Sequence, residues 1–174
     1  MGARLVLPQP AYQLEGVRID YGLTPQQAVE LLPGSNPDIA LWPEDKIALW
    51  HGGKTGVVEA TLPILWDRQS FTTAQGRQKQ KASGIGFSWP VEIASLALPE
   101  NEPEQIRKAL YDLGIWWLVS LRQSSKELSR NGSYFRLFCL LLGPDFLDFA
   151  FPSTDFAWDD NCALAGTPKV LRRV

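Results

Sequence analysis

Hydrophobic positions along this chain change period several times, and each change marks an element. The clearest helical spacing runs from Asn101 to Leu113, where Ile106, Ala109, Leu110 and Leu113 fall on one stripe. Asn101 suits an N-cap, Glu102 and Glu104 place carboxylates around Pro103 in the first turn, and Gly114 stands where a left-handed residue closes a helix. The stripe continues through Trp117 and Leu121, so one long helix to Lys126 is the alternative. The aromatic and β-branched content of Ile115–Leu121 favours a break at Gly114 followed by a strand.

Beyond that break, Ile115–Arg122, Tyr134–Leu142 and Phe146–Phe151 read as an antiparallel meander. Phe135, Leu137, Cys139 and Leu141 face one way, and Tyr134, Arg136, Phe138, Leu140 and Leu142 the other. Both sets are mainly apolar towards the end, which predicts a central strand covered on each side. Leu147, Phe149 and Phe151 share a face opposite Asp148, and LGPDF supplies a tight turn. Upstream, Lys46–Trp50 and Val57–Trp66 read as two strands joined by the glycine-rich HGGKTG, with Pro63 at an edge or bulge. Ile85–Leu98 again has strand character, interrupted at Pro90.

Three stretches lack a sustained period. Residues 1–45 carry five prolines before Trp42 and read as an irregular lead-in with one short helix. That helix has a capping box, with Thr24 as N-cap, Pro25 at the first helical position and Gln27 reaching back. Residues 69–84 read as a flexible basic surface loop, with no acidic residue from Gln69 through Gly86. The tail after Trp158 is expected to lie over the sheet. The whole predicts a single α+β domain over residues 1–174, a mainly antiparallel sheet with one principal helix (about 101–113) packed on one face.

Composition changes this picture in one respect. Seven tryptophans stand against one histidine and two cysteines, so indole surface is abundant while the usual carriers of proton transfer, metal binding and covalent chemistry are scarce. A formal charge of −2 argues against a general nucleic-acid binder. No apolar stretch reaches the roughly 18 residues of a membrane span, and the start has no long apolar signal region. Two cysteines without such a signal suggest free thiols in a cytoplasmic protein.

Several motifs invite chemistry. Ala48–Thr55 reads A-x-x-x-x-G-K-T, a relaxed phosphate-binding loop, but such a loop must open a helix and VVEATLP follows instead. His51 has neither a Ser nor a Cys beside it, and His51, Cys139 and Cys162 lack metal-ligand spacing. Asp38 with Glu44-Asp45-Lys46 only loosely echoes a two-metal nuclease pattern. Asp145, Asp148, Asp155, Asp159 and Asp160 lie in a run from Leu137 to Thr167 without Lys or Arg, which reads as a solvated face. No set of groups meets the test for nucleophile, base and orienter, so an enzyme, a cofactor or a metal site is not predicted.

The expected function is therefore a non-enzymatic protein-binding or assembly subunit. Its contact residues are Trp116, Trp117, Trp89 and Trp66, since exposed indoles make strong anchors. The alternative is a nucleic-acid accessory protein contacting single strands through Arg68, Arg77, Lys79 and Lys81. In that reading alternate positions 77, 79 and 81 line one side of an extended segment, and nearby aromatics stack on bases.

Overall fold

The computed structural model describes residues 2–6, 12–122 and 136–174. Its strands are β1 (Arg4–Val6), β2 (Tyr12–Asp20), β3 (Val57–Leu65), β4 (Trp117–Ser120), β5 (Phe138–Leu142), β6 (Leu147–Ala150), β7 (Cys162–Ala165) and β8 (Lys169–Arg173). Its α-helices are α1 (Pro25–Leu31), α2 (Ala48–His51), α3 (Thr73–Ala82), α4 (Pro90–Ala94) and α5 (Pro103–Leu113). All eight strands join one sheet in the order β1-β2-β3-β7-β4-β5-β6, with β8 also on β3. The architecture is α+β. The expected mainly antiparallel sheet with one principal helix is corrected: β4 and β7 run parallel, making the sheet mixed, and the described residues hold five α-helices.

Two hydrophobic cores lie on opposite faces of this sheet. The larger takes Leu118, Phe138, Leu140, Leu142, Ala163 and Ala165 together with α1, α2, α4 and α5. The smaller takes Val119, Cys139, Cys162 and Leu164 together with Phe71, Leu121, Leu137 and Trp158. Consecutive residues of β4, β5 and β7 thus enter different cores, which is why these strands read as unbroken apolar runs. Tyr134, Phe135 and Lys126 lie outside the described residues.

The β2–β3 side is built differently. Along β3, Val58, Ala60, Leu62 and Ile64 are buried while the residues between them are half-exposed. β2 keeps the same division through a bulge: register shifts between Leu14 and Val17, where Gly16 has φ +70°. The extra residue lets Leu14, Val17 and Ile19 all point inward although their spacing is uneven. The nine-residue strand β2 thus replaces the expected irregular lead-in, and the bulge is the physical reason its alternation is broken in the sequence. Pro63 sits where β3 changes neighbours, after its pairing with β8 at Val58–Thr61 and before its pairing with β7 at Ile64–Leu65. The tail joins the sheet as β7 and β8, not lying over it.

Three further expectations are corrected. Residues 69–84 hold helix α3, opened by a capping box in which Thr72 Oγ1 accepts from Gln75 N and Gln75 Oε1 accepts from Thr72 N. Lys46–Trp50 is helical rather than a strand, ending in α2. Ile85–Leu98 contains α4, started by Pro90 with the Glu92 carboxylate accepting from Trp89 N. The Thr24–Gln27 box forms as the sequence dictates.

Helix α5 ends at Gly114 with φ +95° but begins at Pro103, after Glu102. Asn101 does other work. Its side chain is buried, accepting from Arg18 N at 2.8 Å and donating to the Arg18 carbonyl at 2.8 Å. It thereby completes the ladder of β2 where β1 no longer pairs with it. At the opposite edge of the sheet, Phe149 on β6 is capped by Ser35 and Asn36.

Candidate functional site

The seven indoles divide by the surfaces available to them. Trp42 and Trp50 lie inside the larger core, where Trp50 packs edge-on against Phe138 at 5.1 Å and donates its Nε1 hydrogen to the Leu23 carbonyl at 2.7 Å. Trp158 anchors the smaller core, donating to Thr73 Oγ1 at 3.1 Å and pairing its backbone with Phe71. Trp66, expected at a contact surface, is only 8% exposed and donates to the Asp160 carbonyl at 2.7 Å. Trp89 is half-buried against Gly52, with the Arg122 guanidinium 4.0 Å from its ring centre. Neither of these two presents a free face comparable with that of Trp116.

Trp116 is 43% exposed and shares a surface recess with Phe146, 42% exposed; Phe156, also 42% exposed, lies against Trp117. Trp116 stacks on Tyr111 of α5 at 6.2 Å, with 19° between the rings. Trp117, on the next residue of the strand, turns to Phe156 at 5.8 Å and Trp158 at 6.2 Å. Both backbone amides donate to the Asn161 carbonyl, at 2.9 and 3.3 Å, which fixes where the pair emerges. Tyr111, Trp116, Trp117 and Phe146 border a shallow apolar recess of about 210 Å³ floored by Leu141, Leu142 and Gly143, with Phe156 outside it behind Trp117. Phe146 rests directly over Gly143, so close that a Cβ there would stand 2.0 Å from its ring. Arg107 of α5 holds this turn by donating to the Gly143 carbonyl at 2.9 Å and to the Pro144 carbonyl.

Of the expected contact residues, then, Trp116 and Trp117 meet in one patch. Trp66 lies buried beside Gly114, and Trp89 sits apart at the glycine turn. Sequence reasoning did not include Phe146, Phe156 or Tyr111 in the contact set. The available signal was polarity: Phe146 and Phe156 each follow an aspartate in turns, where an apolar ring has no strand face to hide it.

The basic residues are not an extended row. On a helix, positions 77 and 79 are about 200° apart, so alternation does not align them. Arg77 Nε donates to the Leu121 carbonyl at 3.3 Å, and Lys79 Nζ lies 2.7 Å from Asp67. Arg68 covers the Trp66 ring at 4.9 Å, and Lys81 is exposed.

The GKT motif has a structural task. Helix α2 precedes the turn instead of following it, Gly52 and Gly53 both have positive φ, and β3 starts at Val57. Lys54 Nζ reaches the wholly buried Glu92 carboxylate at 2.7 Å, and the Tyr21 hydroxyl donates to the same oxygen at 2.8 Å. Burial, with the Glu92 charge beside it, pushes Tyr21 far above the ordinary tyrosine range. His51 Nδ1 accepts from Gly53 N at 3.0 Å. These contacts join α2, β2 and α4.

The two thiols are free and buried. Burial raises both, and for Cys162 the Asp159 carboxylate adds to the shift. Among the described residues no three His, Cys, Asp or Glu side chains gather to hold a metal ion. Among them, no helix is long and apolar enough to cross a membrane. No family model, no curated protein and no solved structure matches the chain.

Proposed function

We propose that this protein is a non-enzymatic binding or assembly subunit that docks another protein on the aromatic patch of Trp116, Trp117 and Phe146. One observation carries the reading: Trp116 and Phe146, each about two-fifths exposed, border a recess that Trp117, Leu141, Leu142 and Gly143 also line. Exposed rings scattered singly are ordinary, whereas contiguous ones beside a pocket are the usual composition of a binding hot spot. Trp116 also loses little side-chain freedom on binding, because Tyr111 already stacks on it.

The nucleic-acid alternative has less to draw on, since Arg68, Arg77 and Lys79 already spend their charge or their ring contact within the molecule. The test is co-purification from the native cell with Trp116→Ser and Phe146→Ser combined. A partner held by the parent should be lost, with the melting temperature within a few degrees. Retention of the same partner would reject the patch. Trp117→Ala is the wrong probe, because it also removes packing from Trp158.

A further inference from the structure

We infer that the segment seated on this patch is positively charged: a stretch of another protein that carries Lys or Arg on either side of an apolar residue. The inference rests on the docking reading above and adds the chemistry of the occupant.

Charge is the first argument. Asp145 lies between Pro144 and Phe146, Asp155 precedes Phe156, and Asp159 and Asp160 immediately precede Asn161, whose carbonyl holds both indole-bearing amides. All four are exposed. Residues 137–168 contain no Lys or Arg. The cations on the neighbouring helix are occupied: Arg107 pairs with Glu104 at 2.7 Å and Lys108 with Asp112 at 2.7 Å. An approaching chain therefore meets exposed carboxylates beside the recess, Asp145 next to its lining residues Pro144 and Phe146.

The rings supply a second, independent argument. Elsewhere this protein lays its own cations over aromatic rings, four of which end up buried and one half-buried. Arg68 lies over Trp66, Arg122 over Trp89, Arg136 over Phe151, Lys54 over Tyr21 and Lys79 over Phe71, at 4.0 to 5.7 Å. Among the described residues no cation stands over Trp116, Phe146 or Phe156. A cation on an indole face contributes about 0.5–2 kcal/mol, more as water is excluded. An arginine or lysine from a partner would complete on this patch the pairing the chain makes for itself elsewhere. Its aliphatic neighbour would enter the recess over Leu141 and Gly143.

Three short fluorescein-labelled synthetic peptides test this by anisotropy. One repeats Lys-Leu-Arg, and its twins carry Gln-Leu-Asn or Glu-Leu-Asp. The basic peptide should bind at least about tenfold tighter than either twin, a difference of about 1.4 kcal/mol, and weaken as salt is added. Asp145→Asn with Asp155→Asn should reduce that preference, and Trp116→Ser with Phe146→Ser should abolish binding. Equal binding of the basic and neutral peptides, both lost with Trp116→Ser and Phe146→Ser, would overturn the charge inference while leaving aromatic docking intact. Binding of the basic peptide that survives that double substitution, or no binding at all, would also overturn the inference. Sedimentation of the protein alone supplies the last arm: a dimer that Trp116→Ser dissolves would assign the patch to a second copy and refute it.

Discussion

The two halves of the sheet solve the burial problem differently. In β4, β5 and β7 adjacent residues enter separate cores: Leu118 one way and Val119 the other, both fully buried. In β2 and β3 one face is covered and the other, with the exposed β8 beside it, is open, forming a concave groove of about 1010 Å³ lined by Gln13, Glu15, Glu59, Thr61 and Arg172. The first half has no polar face to spare, so the rings it cannot enclose emerge at its end, beside Trp116. The second keeps an alternating pattern and fills its open side with polar side chains. The proposed docking patch is thus the place where the doubly covered half runs out of cover.

Raising the pH should break the covered half first. Cys139 and Cys162 have native pKa values raised by burial, so their contribution is intact below the ordinary thiol range of about 8.5 and is lost as pH climbs from there. Each costs about 1.4 kcal/mol per pH unit within its window, and Tyr21 adds to the slope from about pH 10 upward. Urea melts between pH 8 and 10.5 should show the decline, and Cys139→Ala with Cys162→Ala should flatten it below pH 10. An unchanged slope would mean that the thiols are reachable by water in the native state.

Alanine scanning of neighbouring pairs sharpens the contrast. Leu118→Ala and Val119→Ala should cost about 3 and about 2 kcal/mol, because each leaves a cavity in its own core. On β3, Leu62→Ala should also cost about 3 kcal/mol, but Thr61→Ala under about 0.5. A Thr61 effect equal to that of Val119 would show that the groove side is covered after all.

Charge pairs give a smaller version of the same comparison. Lys54 to Glu92 and Arg172 to Glu59 are almost equal in length, at 2.7 and 2.6 Å, yet Glu92 is wholly buried whereas Arg172 is largely exposed. Lys54→Met should cost about 2 kcal/mol, less than the full price of breaking a buried pair because Lys54 itself is one-third exposed. Arg172→Met should cost under about 0.5 kcal/mol, and nothing in high salt. Thermal melts at two ionic strengths would separate them. A small effect on stability is also expected from Gly143→Ala, under about 1 kcal/mol, since the displaced Phe146 ring can swing outward. Its binding to the basic peptide should nevertheless fall several-fold.

How much of this was legible follows from the same physics. The doubly covered strand Phe138–Leu142, the left-handed close at Gly114 and the Thr24–Gln27 box could be read because each depends on residues close in sequence. β2 was hidden by one bulged glycine that disturbs its alternation. Helix α3 was hidden by its polar composition, although Thr72 and Gln75 repeat the very box that betrayed α1. Helix α4 was masked by β-branched residues that tertiary burial, not local preference, made helical. At the candidate site Trp116 and Trp117 could be named, but Phe146 and Phe156 could not, because their company is set by the Asn161 carbonyl and the Arg107 clamp.

The last strand has a mechanical corollary. β8 is exposed along its whole length, held by β3 through a ladder with a bulge at Leu171, and Val174 N bonds to the Val57 carbonyl. Tension applied at the carboxyl end would unzip these bonds in succession, from Val174 back towards Gly166, before loading either core. The strip can peel and re-anneal while the remainder of the molecule keeps its shape, so a tether or fusion placed there would strain the fold least.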